Sequence, residues 1–270
     1  MHHFTGLKKN RSAADYETEH QMGEGAYGTV AMARDKISGA RVALKLIDKD
    51  RIVPDAWTRR KPYGVNVVRM VGFWETEREF GLEMAPHGEG VDLFDYIEQT
   101  RGLTEAVARS IFYQVCQGIE YLHRRHIVHR DIKDENVILD ASLRAVLVDF
   151  GSAAYARSEK PTFDTFAGTL EYCAPELIMG RRYQGKPQDV WALGVLLYVM
   201  LFRECPFFND DEILRRAVHI PQQQQRATAV SEDAALFLKF ILHKDAARRP
   251  TIEEVLMHAW FDPIRAGAST

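Results

Sequence analysis

One short stretch of the chain and a tripeptide downstream of it gather residue types that could carry out phosphoryl transfer. The stretch HRDIKDEN holds Asp131, Lys133 and Asn136, and Asp149 opens the tripeptide DFG thirteen residues after it. Transfer from Mg-ATP needs one carboxylate to orient the attacking hydroxyl, and an amide and a second carboxylate to hold Mg²⁺. We therefore predict that Asp131 orients the hydroxyl and that Lys133 offsets charge on the γ-phosphoryl group. Asn136 and Asp149 are the predicted metal ligands.

A glycine-rich stretch and a lysine could complete the phosphate site. Gly23, Gly25 and Gly28 have the spacing G-x-G-x-x-G, which alone also fits an ordinary glycine hairpin. A strand-like run follows it, where a dinucleotide-binding fold would need a helix, so we expect a flap whose backbone N–H groups lie over phosphates. Lys45 lies seventeen residues after Gly28. An inward-facing strand lysine is costly unless it meets anions, and we expect these to be the ATP α- and β-phosphates.

The bulk composition is typical of a globular protein. The 270 residues are 46% hydrophobic and 27% charged, and the net charge of −3 gives no reason to expect nucleic-acid binding. Three scattered cysteines (Cys116, Cys173 and Cys205) have no metal-ligand spacing and fit a reducing compartment. The longest uncharged apolar run, residues 190–202, is shorter than the roughly 20 residues that span a bilayer. We therefore expect a monomer in the cytoplasm, with the nucleus as an alternative, and no membrane partner.

Hydrophobic periodicity separates a strand-rich part from a helical part. Residues 1–15 are polar and are expected to form a flexible leader, with a strand starting near Tyr16. The pattern is strand-like from residue 23 to about residue 84 and helical from residue 92 onward. The segment 189–202 is apolar on every face, which predicts a fully buried helix.

Finer expectations concern burial. A helix capped by Ser231 should turn four residues inward, namely Leu236, Phe237, Phe240 and Ile241. His123 and His126 are expected on the surface at a helix end. His129 is expected in the core beneath Phe150, so we do not assign it the role of general base.

Together, these motifs resemble a eukaryotic protein kinase domain over residues 22–261. The tripeptide APE, which ends at Glu176, and the run DVWALG, which begins at Asp189, support the resemblance, which also implies an ion pair between Glu176 and Arg249. The stretches HGEGVDLF, RDIKDEN and GTLEYCAPE are most similar to PAS-domain-containing serine/threonine kinases, within the calcium/calmodulin-dependent-kinase-like group. Lys133, two residues after the catalytic Asp, suggests Ser/Thr acceptors in protein substrates.

The resemblance implies an α+β, bilobal fold with a small antiparallel β lobe and a larger, mainly helical lobe. The lobes would cover residues 16–86 and 87–262, between the leader and a tail at 263–270. ATP and Mg²⁺ would be the cofactors. Six further positions would contact adenine or ribose: Val30, Ala43, Met84, His87, Asp92 and Ile138. Met84 would be the gatekeeper, His87 would end the hinge, and Asp92 would reach the ribose.

Two threonines are implied to act in the activation segment. Thr169 would brace Asp131 and Lys133, and Thr165 is the natural phosphosite, with Arg130 as the receptor of its phosphate. Ala154 stands where phospho-activated kinases often carry a second basic residue. We therefore predict that phosphorylation of Thr165 is not required for ordering; an unmodified surface threonine remains the alternative.

The chain departs from the family in one place. Only twenty residues separate Lys45 from Asn66, and they include Pro54, Pro62 and Gly64. Residues 55–61, between the two prolines, allow about two helical turns and contain no Glu. The regulatory helix of the small lobe, whose Glu pairs with the lysine, is therefore expected to be missing, which would leave one face of the sheet uncovered.

The missing helix leaves two functional interpretations. We favour a serine/threonine kinase whose phosphoryl transfer is low or absent in this chain. The alternative is a pseudokinase, a catalytically weak module that binds nucleotide or protein. A small-molecule phosphotransferase is disfavoured because Thr169 and the APE tripeptide build a platform for peptides.

Overall fold

The first part of the chain forms a five-stranded antiparallel sheet. The computed structural model describes residue 8 and residues 10–25, 28–49, 66–87, 91–156, 162–221 and 230–267. The strands are β1 (Tyr16–Gly25), β2 (Gly28–Asp35), β3 (Arg41–Asp48), β4 (Met70–Glu75) and β5 (Glu79–Met84), in the spatial order β1-β2-β3-β5-β4. The strand predicted to start near Tyr16 is confirmed.

The sheet has two different faces because side chains alternate along each strand. Its outer face carries Val42, Leu44 and Trp74, which are almost fully buried and pack in one cluster. The opposite face carries Ala43 and Lys45, which are therefore positioned to meet a ligand below the sheet.

The described part of the segment predicted as a flexible leader is packed on the outer face. Ala13–Asp15 form a 3₁₀ turn, and the charged side chains of Lys8 and Arg11 reach Asp35 at the end of β2. These contacts were not predicted because polarity alone does not reveal that basic residues have buried carboxylates as partners.

Two predicted features lie outside the described residues. These are the tip of the glycine-rich stretch, at residues 26 and 27, and most of the segment between Lys45 and Asn66, at residues 50–65.

The second part of the chain consists mainly of helices. They are α1 (Leu93–Thr100), α2 (Glu105–His123), α3 (Pro175–Ile178), α4 (Gly185–Phe202), α5 (Asp210–Arg215), α6 (Glu232–Ile241), α7 (Ile252–Met257) and α8 (Asp262–Gly267). The short strands are β6 (Val91–Asp92), β7 (Ile127–Val128), β8 (Val137–Leu139), β9 (Ala145–Leu147), β10 (Ala154–Tyr155), β11 (Thr162–Phe163) and β12 (Tyr183–Gln184). Strands β6, β8 and β9 form a small sheet, whereas β7 pairs with β10 and β11 with β12.

The large core lies around α4, which is buried on nearly every face as predicted. Helix α2 is capped by Thr104, whose side chain accepts the N–H of Val107, and packs its apolar side against α4 and α7. Aromatic rings pack beside this helix, and the ring centroid of Phe112 lies 6.2 Å from the ring centroids of both Phe237 and Trp260. This core gives the short loops between the small strands a fixed base.

The inward face of α6 differs from the prediction. Ser231 does cap the helix, but its buried residues are Ala234, Phe237, Leu238 and Ile241. These follow the spacing i, i+3, i+4, i+7 of a helix with one buried face, and Leu236 and Phe240 fall outside that stripe with exposed side chains.

Candidate active site

The loop between β7 and β8 holds the predicted catalytic carboxylate in one orientation. Thr169 Oγ1 donates to Asp131 Oδ1 at 2.9 Å, and Asn136 Nδ2 lies 3.1 Å from Asp131 Oδ2 and 2.8 Å from the Asp131 carbonyl oxygen. The side-chain NH₂ group of Asn136 donates to Asp131, so the side-chain oxygen Oδ1 of Asn136 is the atom that a cation could use. These contacts confirm that Thr169 braces Asp131.

Lys133 has a different partner. Its ammonium pairs closely with Glu135 in the following turn. Burial lowers the pKa of Lys133, but the hydrogen bond to Glu135 and the charge of Asp131 raise it above its usual value. Lys133 is therefore a cation near Asp131. Its observed partner is Glu135, whereas the predicted partner was Thr169.

A second charged pair joins the sheet to the DFG turn. Lys45 Nζ lies 2.5 Å from Asp149 Oδ1, which also accepts the N–H of Gly151 at 3.1 Å. Burial raises the pKa of Asp149, but the charge of Lys45 and its hydrogen bond lower it below the usual range. The ionised carboxylate suits a hard cation such as Mg²⁺. Asp149 has a left-handed φ of 54°, which is uncommon for a residue other than glycine.

Strand register brings the predicted adenine contacts of the sheet side by side. Val30 pairs with Lys45, and Ala43 pairs with Met84 on β5. Gly23 pairs with Val30, and Gly25 with Gly28, so the glycine-rich stretch is the hairpin end of β1 and β2. Ile138 and Asp92 pair with each other on β8 and β6. The contacts of these residues with nucleotide remain predictions.

Glycine is required at the base of that hairpin. Gly28 has a φ of 155°, and a Cβ there would lie 1.9 Å from the carbonyl oxygen of Leu46. A side chain would push β2 away from β3 just where the phosphate flap begins.

Two residues after the small lobe have additional contacts. His87 Nε2 lies 2.7 Å from the carbonyl oxygen of Arg144, which ties the hinge to the turn between β8 and β9. Asp92 caps α1 by accepting the N–H of Asp95 at 2.7 Å. Burial and the nearby charges of Asp95 and Asp134 raise the pKa of Asp92.

Comparisons with known proteins identify this arrangement. The protein kinase domain family matches residues 16–261. The chain belongs to the protein kinase family. It is 40% identical to serine/threonine-protein kinase PSK1 of Saccharomyces cerevisiae over 94% of this chain and 20% of that protein. It is also 40% identical to serine/threonine-protein kinase ppk6 of Schizosaccharomyces pombe, over 93% of this chain and 34% of that protein.

A mouse relative supports the finer resemblance. The PAS domain-containing serine/threonine-protein kinase of Mus musculus is 35% identical over 91% of this chain and 18% of that protein. The chain thus covers between 18% and 34% of the length of these three relatives. The fold and the serine/threonine kinase family predicted from the motifs are confirmed.

The kinase's catalytic loop is fixed from below by a buried carboxylate. Asp189, which is fully buried at the start of α4, accepts the N–H groups of His129 and Arg130 at 2.9 and 2.8 Å. His123 Nε2 lies 2.8 Å from the same carboxylate and is buried, so the prediction of a surface position is wrong. The burial of His123 depends on Asp189, which lies 66 positions later in the chain, because a buried carboxylate needs several donors. His126 is exposed as predicted.

The predicted core position of His129 is confirmed. Its ring is fully buried, with its centroid 4.9 Å from that of Phe150, and its Nε2 lies 3.0 Å from the carbonyl oxygen of Val148. His129 therefore supports the DFG turn by packing.

The activation segment is held by contacts with neutral groups. Arg130 donates through Nε to the carbonyl oxygen of Ser152 at 2.6 Å, and its guanidinium lies 4.6 Å from the ring of Phe163. Tyr183 on β12 pairs with Phe163 on β11 and donates to the carbonyl oxygen of Thr165 at 3.3 Å. Thr165 itself is exposed. Sequence reasoning did not find Phe163 and Tyr183, since two-residue strands leave no periodic pattern.

Another fixed point is the predicted ion pair beneath the peptide platform. Both guanidinium ends of Arg249 meet Glu176, at 2.9 and 3.0 Å, and the arginine side chain is fully buried. The bidentate geometry ties the APE tripeptide to the segment before α7. This prediction is confirmed.

An anchor that the sequence did not reveal joins the two lobes at Asn66. The side-chain amide of Asn66 donates to the backbone carbonyl oxygen of Ala145 at 2.7 Å, and the backbone carbonyl oxygen of Asn66 accepts the N–H of Leu147 at 2.9 Å. A Cβ on Gly118 of α2 would lie 2.8 Å from that carbonyl oxygen. The chain is thus fixed to the large lobe directly after residues 50–65.

No described helix is long and apolar enough to cross a membrane.

Proposed function

We propose that this chain binds ATP with Mg²⁺ and transfers the γ-phosphate to Ser or Thr hydroxyls of proteins. The observation that carries the proposal is the convergence of Thr169 and Asn136 on the carboxylate of Asp131. The donor set fits the cofactor, since an ionised Asp149 and the amide oxygen of Asn136 are the oxygen ligands that Mg²⁺ prefers.

The arrangement supports a mechanism based on positioning. Asp131 would accept the proton of the substrate hydroxyl, in the single orientation that Thr169 and Asn136 allow. Lys133 would leave Glu135 to offset charge on the γ-phosphoryl group, and Lys45 would exchange Asp149 for phosphate oxygens. Bound Mg²⁺ would neutralise charge on the β- and γ-phosphates.

The proposed substrates carry a basic residue upstream of the Ser or Thr. Glu135 has a side chain that is 57% exposed, and it lies on the same surface as Asp92, whose pKa is raised partly by repulsion from Glu135 itself. A surplus of carboxylates favours a cationic ligand. Because the proposed contact with the acceptor hydroxyl belongs to Asp131, Glu135 and Asp92 would act on specificity. A monomeric state and a cytoplasmic location belong to the same proposal.

A second candidate, a catalytically weak nucleotide- or protein-binding module, is favoured by Lys45. Its observed partner is Asp149, and the twenty residues before Asn66 offer no helical Glu to replace it. Lys45 would then lack a fixed aim at the phosphates. We therefore propose a kinase with a turnover below the ordinary range of about 1–100 s⁻¹.

A steady-state assay with two peptides tests both proposals. The peptides share Arg residues upstream of the acceptor and differ only in carrying Ser or Tyr. We expect the Ser peptide alone to be phosphorylated, at a turnover below about 1 s⁻¹. Equal use of the Tyr peptide would contradict the acceptor class, and a turnover within the ordinary range would refute the impairment. ATP binding without any peptide phosphorylation would favour the binding module.

A further inference from the structure

The amino-terminal segment crosses the outer face of the small lobe. We call residues 8 and 10–16 the strap. The N–H of Lys8 donates to the carbonyl oxygen of Phe73 on β4, at 2.8 Å, and Tyr16 begins β1. Since β4 and β1 are the two edges of the sheet, the strap spans all five strands. It covers Trp74, which is fully buried and stacks 6.2 Å from the ring of Tyr16.

Basic side chains hold the strap to buried carboxylates. Lys8 Nζ lies 2.6 Å from Glu83 and 3.0 Å from Asp35, and Arg11 lies 2.9 Å from Asp35. Glu83 and Asp35 are only 1% and 2% exposed, and Tyr16 donates a close hydrogen bond to Glu83. Removing Lys8 would leave the buried carboxylate of Glu83 without its cation, and removing Arg11 would leave Asp35 with Lys8 alone. Leaving a buried charge uncompensated is strongly destabilising.

Ser12 sits among these contacts. It is half-buried, and its N–H donates to Asp15 Oδ2 at 2.8 Å. A further cation, Lys36, reaches the strap by donating to the carbonyl oxygen of Ala14 at 2.8 Å. In the sequence, Ser12 follows the basic residues Lys8, Lys9 and Arg11, so it has the upstream charge that the carboxylates beside the proposed catalytic loop would select.

We propose that Ser12 is a phosphorylation site, that its modification releases the strap from the sheet, and that this kinase phosphorylates it in a second copy of the chain. The last part rests on the proposed function. The match is one of charge, because the basic residues that tie down the strap are those that Glu135 and Asp92 would recognise when the strap opens transiently. Phosphorylation would then keep the strap from docking again.

The modification step is ordinary phosphoryl transfer. A new bond forms between Ser12 Oγ and the γ-phosphorus of ATP, the bond from that phosphorus to the bridging oxygen breaks, and ADP leaves. The hydroxyl proton passes to Asp131 and then to solvent. One phosphate per chain requires a single turnover, so even a slow enzyme completes it.

A phosphate on Ser12 has no stable place in the docked strap. It carries about −1.5 to −2 charges and would lie beside the carboxylate of Asp15. Its available partner is Arg11, the cation next to Ser12 in the strap. A charge-assisted bond from Arg11 to the phosphate would compete with the ion pair between Arg11 and Asp35. Moving Arg11 would strip the buried Asp35 of a cation, and leaving it would keep the phosphate unpaired near Asp15. Both outcomes favour the released strap.

The first arm of the test locates the phosphate. The chain is incubated with Mg-ATP, sites are mapped by mass spectrometry, and a basic Ser peptide is assayed in parallel. We expect Ser12 to be the most heavily labelled serine and Ser12→Ala to lose that label. Ser142→Ala is the matched control, since Ser142 is exposed but has no basic residue in the four positions before it. Peptide phosphorylation without label at Ser12 overturns self-phosphorylation; failure of both overturns the proposed function.

The second arm does not depend on activity. Phosphoserine is installed at position 12 in an Asp131→Asn chain, and hydrogen exchange is compared with the unmodified Asp131→Asn chain. The amide of Lys36 reports on docking because it donates to the carbonyl oxygen of Asp15 at 3.0 Å. We expect exchange of the strap and of Lys36 to increase at least tenfold, with exchange in α4 unchanged. Unchanged exchange in the strap overturns the proposed release.

Discussion

At the scale of single residues, the site depends on short contacts made by neighbouring motifs. The roles proposed for Asp131, Asn136 and Asp149 come from the sequence, because each residue lies in a local string whose chemistry is specific. The contact between Thr169 and Asp131 was predicted through the family resemblance and is confirmed. The burial of His123 could not be predicted, because its partner Asp189 becomes its neighbour only when α2 packs on α4.

Replacing Thr169 with Ala tests the orientation of the catalytic carboxylate. The change removes one hydrogen bond to a charged group, which is worth about 1.5–3 kcal/mol. We expect kcat to fall by about 10- to 150-fold with little change in the KM for ATP, as steady-state kinetics would show. Thr169→Ser keeps the hydroxyl and should retain most of the activity. Equal losses in both variants would contradict a role for the hydroxyl.

At the scale of elements, alternation and helical period predicted the sheet and α4, but not how elements meet. The inward face of α6 was assigned wrongly because five of the six residues at positions 236–241 are apolar and fit more than one helical stripe. The strap was missed because its partners, Asp35 and Glu83, lie 27 and 75 positions after Lys8. The anchor at Asn66 depends on a left-handed φ of 63°, for which an Asn gives only weak warning.

The anchor at Asn66 can be tested through the facing helix. In Gly118→Ala, the new Cβ would lie 2.8 Å from the carbonyl oxygen of Asn66 and from Leu147 Cδ1. We expect a loss of about 1–3 kcal/mol in the free energy of unfolding, measured by denaturant titration, because the packed neighbours must move. Gly267→Ala in α8 is the control, since its Cβ would meet nothing within 4 Å. An unchanged free energy of unfolding in Gly118→Ala would contradict the prediction, because Asn66 and Leu147 would then move aside at no cost.

The strap should give stability a characteristic pH dependence. Burial raises the pKa of Asp35, but Arg11, the N–H of Ile37 and Lys8 lower it well below its usual range. Because the folded pKa lies below the unfolded value of about 3.9, the ionised group stabilises the fold above that pH, and the stabilisation is lost as pH falls further.

The corresponding measurement compares the native chain with Asp35→Asn. We expect the difference in free energy of unfolding to stay constant from pH 7 to 5 and to shrink below about pH 4. Asp211→Asn, at a mostly exposed position on α5, is the control and should have little effect at either end of the range. A difference that grows as the pH falls would contradict the assignment of Asp35 as an ionised partner.

The activation segment should need no phosphate to remain ordered. Arg130 already bonds to Ser152 and packs on Phe163, so a phosphate on Thr165 would have to compete for it. We expect Thr165→Ala to reduce kcat/KM less than tenfold in peptide phosphorylation. Phe163→Ala should cost more than Thr165→Ala, because it removes the ring that Arg130 packs on. A loss above tenfold in Thr165→Ala would count against this account.

At the scale of the whole molecule, two lobes are joined by Lys45–Asp149 on one side and by Asn66 on the other. The large lobe is fixed internally by Glu176–Arg249 and by Asp189, so its catalytic loop is complete. The resemblance predicted this division. The sequence between Lys45 and Asn66 contains no Glu that could pair with Lys45, and the proposed low turnover rests on that feature of the small lobe.

The most direct test of the central claim is the rate of phosphate transfer from Mg-ATP to a basic Ser peptide, compared between the native chain and Asp131→Asn. The account predicts a measurable rate that falls at least 100-fold in Asp131→Asn, with ATP binding retained. Equal rates in the two proteins would contradict it, because phosphate transfer would then not depend on the carboxylate that Thr169 and Asn136 hold in place.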